Sequence, residues 1–366
     1  MSGRISAASS IFQHDEEDFM RSLTSGFTFP LAIAALFPFA TGSFSDEAMA
    51  VADVGGFQIG GTTVVLEGMP IKEQTFTNGM KPIKVDPNGT FVTGQMYVGY
   101  VKLAEPVSDY PILMWHGGGM TGVTWQDKPD GGAGWEKYFL KSGYSTYVSD
   151  AVERGRSSWS QFPEIYASKP VFRTLEDAWG AFRIGPEGGW SADPAQRQAF
   201  QNTQFPAEAF VQFGKQFVPR WLTNDDATQA AYDELIGMVC PCIVMAHSQG
   251  GNFAYNAALN NPELVKAVIL IEPSGAPNPQ DVDAAKLREI PHLAVWGDNI
   301  AKHPVWPRLV EASRNWREAV NGAGGDFDWL DLPAEGITGN SHFPMMDKNS
   351  DQIAALIVAW IQASVN

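Results

Sequence analysis

The sequence is poor in the residues that build metal centres. Of its 366 residues only two are cysteine and six are histidine, and the cysteines form a pair, Cys240 and Cys242, in a CPC motif. Two cysteines cannot supply the four ligands of a structural zinc site, and the histidines show no metal-ligand spacing, so we expect neither a metal nor another cofactor. The close spacing favours two small, half-buried free thiols, with a local disulfide as the alternative.

Basic residues are also scarce. The chain has 25 lysines and arginines against 41 aspartates and glutamates, for a formal net charge of -16. So acidic a protein is poorly suited to bind nucleic acid or an anionic membrane. An apolar content of 44% with 36 glycines and 24 prolines is typical of a loop-rich globular protein, and the length fits one large α/β domain or two smaller ones.

The N-terminus has an apolar run that is too short to cross a membrane. Between Met20 and Ala50 the chain shows Arg21, an apolar stretch of about 14 residues and a polar stretch that ends in Ala-Met-Ala, whereas a spanning helix needs ~20 residues. This order of regions is that of a secretory signal cut after Ala50. We interpret residues 1–50 as a signal peptide with an upstream tail, and Met20 as the natural start. A membrane-anchored or disordered tail is the alternative to a secreted or periplasmic protein.

Strand and helix patterns alternate along the rest of the chain. Two antiparallel strands are expected at 62–68 and 91–103, followed by short apolar strands such as YPILMW, CIVM and HLAVW, with helical patterns between them. The helix that begins at DDATQ is expected to have an aspartate as its N-cap. Short all-apolar strands separated by helices indicate a mostly parallel sheet covered by helices on both faces.

A long segment, residues 156–224, interrupts this alternation and is rich in aromatic residues. We predict a core built from residues 51–155 and 225–366, with 156–224 as a cap that lines a substrate pocket. Trp159 and Trp190 are the cap residues that we expect in the pocket. The alternative is that most of these rings only fill the interior of the insertion.

A serine lies where an apolar strand turns into a helix. Ala246-His247-Ser248-Gln249-Gly250 places small residues two positions before and after Ser248, as a sharp strand-to-helix turn that exposes a nucleophile requires. The usual first glycine of G-x-S-x-G is alanine here. A serine that only caps the helix is the alternative.

A glycine-rich loop follows an earlier strand and fits an oxyanion site. In the stretch His116-Gly117-Gly118-Gly119 the glycines let backbone approach a substrate closely. We expect the N–H groups of Gly118 and Gln249 to face the oxyanion, and the rest of the loop to line the pocket.

A serine nucleophile needs a histidine and an acid. If the order along the chain is serine, acid, histidine, the candidate bases are His292, His303 and His342, and His342 is favoured because it lies between the last strand and the last helix. Glu272 and Asp298 each follow a strand, where α/β sites lie, so the acid stays open between them.

These motifs resemble the α/β-hydrolase superfamily over residues 60–363. More closely, the segment from TGVTWQDKPD to ERGRS, together with HSQGG, EPSG and GNSHFPMMD, resembles the Alcaligenes-type secreted bacterial esterases. The resemblance implies an α/β-hydrolase fold, a catalytic glutamate in the EP motif at Glu272, and a homodimer. The family prototype has two adjacent cysteines where this chain has Gly118 and Gly119, so their disulfide is not expected here.

Together these features predict a secreted serine hydrolase of carboxylic esters, with Ser248, His342 and Glu272 as its triad and a small-molecule ester as its substrate. The mature protein is expected to bind neither nucleic acid nor membrane. An amidase or lactonase with the same triad is an alternative, and so is a non-catalytic binding protein.

The signal-peptide interpretation predicts where the mature chain begins. N-terminal sequencing of protein recovered outside the cytoplasm of a native host should start near Val51, because cleavage after Ala50 leaves small residues at the recognised positions. Recovery of the chain with Met1 retained would contradict it.

Overall fold

Ten strands, eight α-helices and six short 3₁₀ helices occur in the part of the chain that the structure describes. This computed structural model describes residues 48–365, so the predicted signal peptide lies outside the described residues except for its last three positions. The strands are β1 Val51–Leu66, β2 Lys72–Gln74, β3 Ile83–Val85, β4 Gly89–Leu103, β5 Ile112–Trp115, β6 Thr146–Asp150, β7 Cys242–His247, β8 Val265–Ile271, β9 His292–Trp296 and β10 Phe327–Asp331. The helices are α1 Val123–Gln126, α2 Trp135–Lys141, α3 Leu175–Ala181, α4 Phe210–Gly214, α5 Asp225–Val239, α6 Gln249–Asn260, α7 Trp306–Gly322 and α8 Ser350–Ser364.

Eight of the strands form one sheet in the order β1-β4-β6-β5-β7-β8-β9-β10. The pairs β1–β4 and β4–β6 are antiparallel, and every pair from β6 to β10 is parallel. The strands β2 and β3 form a separate antiparallel pair. Because the carboxyl ends of parallel strands meet at one edge of a sheet, the loops after β5, β7, β8 and β9 come together there.

Helices cover both faces of the parallel part of the sheet. Alternate residues of β5, β7 and β8 pack with α5, α6 and α7 in one buried cluster, and the residues between them pack with α2 and α8 in another. The strands are therefore buried on both faces, which is why they read as continuous apolar runs. The α/β-hydrolase fold predicted from the sequence is confirmed.

The first strand is longer than the sequence predicted: it begins at Val51 and not at residue 62. Its glycines weaken the strand pattern, yet β1 pairs with β4 along its whole length. A Cβ on Gly55 would lie 2.5 Å from the hydroxyl of Tyr100, and one on Gly56 would lie 2.2 Å from that of Tyr97. Tyrosine rings of β4 thus lie across the glycines of β1, a tertiary contact that composition does not show.

Two local predictions are wrong. Cys240 and Cys242 are joined by a disulfide, with Cα atoms 4.4 Å apart, a separation that a disulfide can bridge. The N-cap of α5 is Asn224 and not an aspartate; its amide donates to the Val152 carbonyl at 3.2 Å and the Glu153 carboxylate at 2.8 Å.

No helix among residues 48–365 is long and apolar enough to cross a membrane.

Six of the thirteen aromatic residues of the insertion are buried. Trp179, Phe205, Phe210 and Phe213 are fully buried and belong to the same apolar cluster as α2 and α8. The alternative that aromatic rings only fill the interior therefore holds for these four. The domain boundaries drawn from the sequence stay a prediction.

Candidate active site

Ser248 lies in a strained turn between β7 and α6. Its backbone has φ 52° and ψ -117°, a conformation that costs a non-glycine residue free energy and is found mainly at functional sites. The Ser248 side chain makes no capping hydrogen bond to α6. The alternative of a simple N-cap serine thus finds no support in the geometry.

Neighbouring backbone leaves no room for larger residues at this turn. A Cβ on Gly250 would lie 2.8 Å from the carbonyl oxygens of both Trp115 and His116. A Cβ on Gly117 would lie 2.9 Å from the Cβ of Ser248. The glycine-rich loop after β5 therefore packs directly against the turn, and glycine at both positions permits the close approach.

His342 reaches this region from the loop after β10 and contacts Glu272. Its Nδ1 lies 3.1 Å from Oε2 of Glu272, and both side chains are almost fully buried. Since the carboxylate can only accept, Nδ1 carries the hydrogen and Nε2 is free to act as a base. His342 and Ser248 line the same cavity.

Glu272 is a buried carboxylate with three hydrogen bonds to its oxygens. Besides His342, the Gly297 N–H donates to Oε1 at 2.6 Å, and Nη2 of Arg183 donates to the same oxygen at 2.6 Å. The side chains of Arg183 and Glu272 are fully buried. The negative charge of Glu272 is therefore paired and hydrogen-bonded, as a buried charge requires.

Glu272 precedes Pro273, and a residue before proline normally takes an extended conformation, but Glu272 does not. Glu272 has φ 50°, because its side chain is fixed by the three hydrogen bonds and its N–H donates to the Val295 carbonyl at 3.0 Å. Ser248, Arg183 and Glu272 are three of the six non-glycine residues with positive φ in residues 48–365. Half of the strained positions therefore belong to this one site.

Asp298, the other candidate acid, is engaged elsewhere. Its Oδ2 accepts hydrogen bonds from the Gly339 N–H at 2.8 Å and from the Asn202 amide at 2.9 Å, and its Oδ1 accepts from the Asn299 N–H at 2.5 Å. No hydrogen bond joins Asp298 to His342 in the described part of the chain. Asp298 thus stabilises a turn and the start of the histidine loop.

Two further buried groups hold the histidine loop in place. His247, the residue before Ser248, donates from Nε2 to the His342 carbonyl at 2.8 Å. Asp347 accepts from the Ser341 N–H, the Ser341 hydroxyl and the Asn340 amide at 2.7 to 2.9 Å. Burial raises the pKa of Asp347 to about 6. His247 therefore joins the histidine loop to the turn at Ser248, and Asp347 joins the two ends of the loop to each other.

Aromatic rings and a cation surround the His342 imidazole. The ring centroid of Trp306 lies 4.2 Å away and that of Phe182 lies 5.5 Å away in a stacked arrangement. Burial, and after it the positive charges of Arg183 and Arg173, hold the pKa of His342 well below its usual range. The imidazole is therefore neutral at neutral pH, the form that a general base requires.

The predicted oxyanion donors lie beside the cavity that contains Ser248. Gly118 and Gln249 both line it. His116 does not line it and serves the loop instead: its Nε2 accepts from the Ala151 N–H at 2.9 Å and its Nδ1 donates to the Gly117 carbonyl at 2.8 Å. Gly117 and Gly119 do not line the cavity either, so their predicted place in the pocket is corrected. Gly119 has φ 72°, which favours glycine.

The cavity has a volume of about 310 Å³ and is lined in part by the insertion, through Arg173, Asp177, Ala181, Phe182 and Arg220. Neither Trp159 nor Trp190 lines it, so their predicted place in the pocket is corrected. Trp159 packs on Trp221, with ring centroids 4.7 Å apart, and Trp190 packs on Phe210 at 5.2 Å. Aromatic content alone does not distinguish pocket rings from rings that support them.

Of the other two candidate histidines, His292 lies away from the cavity and His303 lies on its wall. His292 is fully buried at the start of β9 with its Nδ1 bonded to the Ile290 carbonyl at 2.7 Å, and burial lowers its pKa to about 4. His303 lines the cavity and its Nε2 lies 3.5 Å from Glu187. Residues 48–365 contain no group of three or more histidine, cysteine or carboxylate side chains placed to hold a metal ion.

Sequence reasoning missed Arg183, His247 and Asp347. Arg183 stands in a segment with no motif, and its contact with Glu272 spans 89 positions of sequence. His247 occupies the variable position before the serine in the G-x-S-x-G motif. Only Asp347, just after the histidine in NSHFPMMD, could have been noticed, as the acidic end of a short loop.

Known proteins are similar to this chain in sequence and in structure. A solved structure described as a novel bacterial esterase has 34% sequence identity and a TM-score of 0.74, over 88% of this chain and 98% of that one. A curated protein named "Probable secreted lipase phiG", from a fungal species (strain ATCC 74256), is 26% identical over 328 residues, which is 75% of this chain and 87% of the relative. No protein-family model matches the chain. The protein therefore belongs to the α/β-hydrolase superfamily, in the same family as that bacterial esterase.

Proposed function

We propose that the protein is a serine hydrolase that cleaves carboxylic esters through an acyl-enzyme intermediate. The observation that carries the proposal is the buried hydrogen bond from His342 to Glu272, with Ser248 and His342 on one cavity. The relatives described as an esterase and a secreted lipase support an ester as the substrate.

In the proposed reaction Ser248 Oγ attacks the ester carbonyl carbon while His342 Nε2 takes its proton. The negative charge that develops on the carbonyl oxygen is stabilised by the N–H groups of Gly118 and Gln249. The bond to the alcohol then breaks, and His342 returns the proton to the leaving oxygen. Water attacks the acyl-enzyme by the same steps and releases the acid. Glu272 keeps the imidazole in the required tautomer and stabilises its charged form.

We also propose that the mature protein is exported. The strand β1 begins at Val51, the first residue after the expected cut, so no described element would be lost by cleavage. The disulfide between Cys240 and Cys242 suits an oxidising compartment, and one relative is named as secreted. Dimerisation and the absence of nucleic-acid and membrane partners stay predictions.

Replacing the proposed nucleophile should abolish turnover. Ser248→Ala is expected to lower ester hydrolysis by several orders of magnitude and to leave about 10³-fold acceleration over water, because the oxyanion donors remain. A fluorophosphonate should label the parent protein at Ser248 and should not label the variant. Ser274→Ala, which removes another hydroxyl from the same cavity, is the control and should still be labelled. Near-normal hydrolysis by a clean Ser248→Ala preparation would reject the assignment.

The choice between the two acids can be tested directly. Glu272→Gln should cost ~10⁴ in turnover, because His342 loses the partner that fixes its tautomer. Asp298→Asn should keep turnover and lose some thermal stability, because it weakens the hydrogen bonds to Gly339 and Asn202. Steady-state kinetics and thermal denaturation of both variants measure this. The opposite pattern would make Asp298 the acid.

The pH profile tests the electrostatic part of the site. Because the pKa of His342 is lowered, kcat/KM should fall with acid only below the usual histidine range near pH 6.5. Arg183→Met removes a cation that opposes the imidazolium, so the acid limb should move to higher pH. Arg183→Lys keeps the charge and should leave the limb in place.

Loss of Arg183 also leaves a buried carboxylate unpaired, which costs about 3–5 kcal/mol of stability, so folding of each variant is checked by thermal denaturation. Acid limbs that coincide in the parent and Arg183→Met proteins would show that Arg183 does not act on His342 through its charge.

A further inference from the structure

The cavity beside Ser248 has an uncompensated positive charge, although the chain as a whole carries -16. The guanidiniums of Arg173 and Arg220 and the carboxylate of Asp177 line it. Arg173 forms an ion pair with Asp177. Arg220 is therefore the lining cation whose charge no lining carboxylate balances.

Arg220 lies next to the proposed oxyanion loop. A Cβ on Gly118 would lie 2.7 Å from Nη1 of Arg220, and a Cβ on Gly117 would lie 2.9 Å from the Cβ of Ser248. Gly118 thus packs against the guanidinium of Arg220, and Gly117 packs against Ser248. The Arg220 backbone is fixed by a pair of hydrogen bonds with Val171, at 2.8 and 3.0 Å.

The guanidinium of Arg220 lacks a partner within the described residues. Its Nε is buried and makes no hydrogen bond, and no carboxylate there lies within ion-pair distance. Asp225 acts on it only from further away, and its Oδ1 accepts from the Gln249 amide at 3.2 Å. Burial lowers the pKa of Arg220, Asp225 opposes this effect and Arg173 adds to it. Since arginine stays protonated in proteins, a second anion in the cavity would relieve this arrangement.

We propose that Arg220, assisted by the positive charge of Arg173, binds a carboxylate of the substrate, so that the preferred substrates are esters that carry a free carboxylate besides the scissile bond. The planar guanidinium matches a carboxylate in shape and charge. Val305, Trp306 and Leu309 form an apolar part of the lining that can contact the hydrocarbon between the two groups. This inference rests on the proposed ester hydrolysis and names its substrate class.

The test compares esters that differ only in charge. The 4-nitrophenyl monoester of adipic acid carries the carboxylate on the acyl side, and 4-nitrophenyl 6-methylheptanoate replaces that carboxylate by an isopropyl group. The second pair, 4-acetoxybutanoate and 4-methylpentyl acetate, carries the same change on the alcohol side. For each pair, kcat/KM is measured with the parent protein, Arg220→Met and the control Arg197→Met. Arg197 is an arginine of the same insertion that lies over the Trp190 ring at 4.3 Å, and it does not line the cavity.

The parent protein should favour the charged ester in at least one pair, and that pair identifies the side that carries the carboxylate. In that pair Arg220→Met should lower the ratio of charged to neutral kcat/KM by about 10- to 100-fold, the effect of losing hydrogen bonds to a charged group. Arg197→Met should leave the ratio unchanged.

Two results would overturn the inference while ester hydrolysis stands. One is a parent protein that hydrolyses the neutral ester of each pair at least as well as the charged one, a result that does not depend on the folding of any variant. The other is an equal loss on both esters in Arg220→Met, which would assign Arg220 to the chemistry common to all esters. Failure of the parent protein to hydrolyse any ester, together with no labelling of Ser248, would instead reject the proposed function itself.

Discussion

The carboxylate of Glu272 is the group around which the site is arranged. A fully buried charge is tolerated only when its oxygens are hydrogen-bonded and its charge is paired. Here the partners come from three other parts of the chain: the Gly297 N–H after β9, Arg183 of the insertion and His342 of the loop after β10. Because each hydrogen bond fixes one segment, the need to satisfy this one carboxylate sets the relative positions of all three.

The pairing with Arg183 also sets the charge that His342 experiences. With Glu272 alone, the imidazole would sit next to an unbalanced anion and its charged form would be favoured. The guanidinium lies on the other oxygen of the same carboxylate and offsets this effect, while burial opposes the charged form further. The site therefore keeps the His342 imidazole neutral at rest, and in the proposed mechanism the nucleophilic attack is the step that gives the histidine its charge.

Local patterns predicted the parts of the molecule that depend on neighbours in sequence. These parts are the strand at CIVM, the small residues around Ser248 and the glycines after β5. At Gly117 and Gly250 the structure shows why only a small residue fits, because neighbouring atoms lie within 3 Å of where a Cβ would be. The patterns failed where distant residues decide the conformation. The side chains of Tyr97 and Tyr100 pack on the glycines of β1 and stabilise it as a strand. The hydrogen bonds of Glu272 override the extended conformation that a residue before proline prefers. The prediction that Trp159 and Trp190 line the pocket is wrong, because the residue type alone does not determine which neighbour a ring contacts.

The insertion is therefore more than a cover over a finished site. A simple lid would contact only the substrate, but this segment provides Arg183, which pairs with the buried acid, and the Phe182 carbonyl, which accepts from the His342 N–H at 3.0 Å. The same segment places Arg173 and Arg220 in the cavity wall. Since Arg183 pairs with Glu272 and Arg220 is the proposed contact to the substrate carboxylate, one stretch of chain couples the charge balance of the proposed triad to the proposed choice of substrate. A change of substrate preference through this segment must then leave the Arg183–Glu272 pair intact. Without Arg183 the buried Glu272 carboxylate would have no cationic partner, and the free energy lost in this way exceeds what one new contact to a substrate would gain.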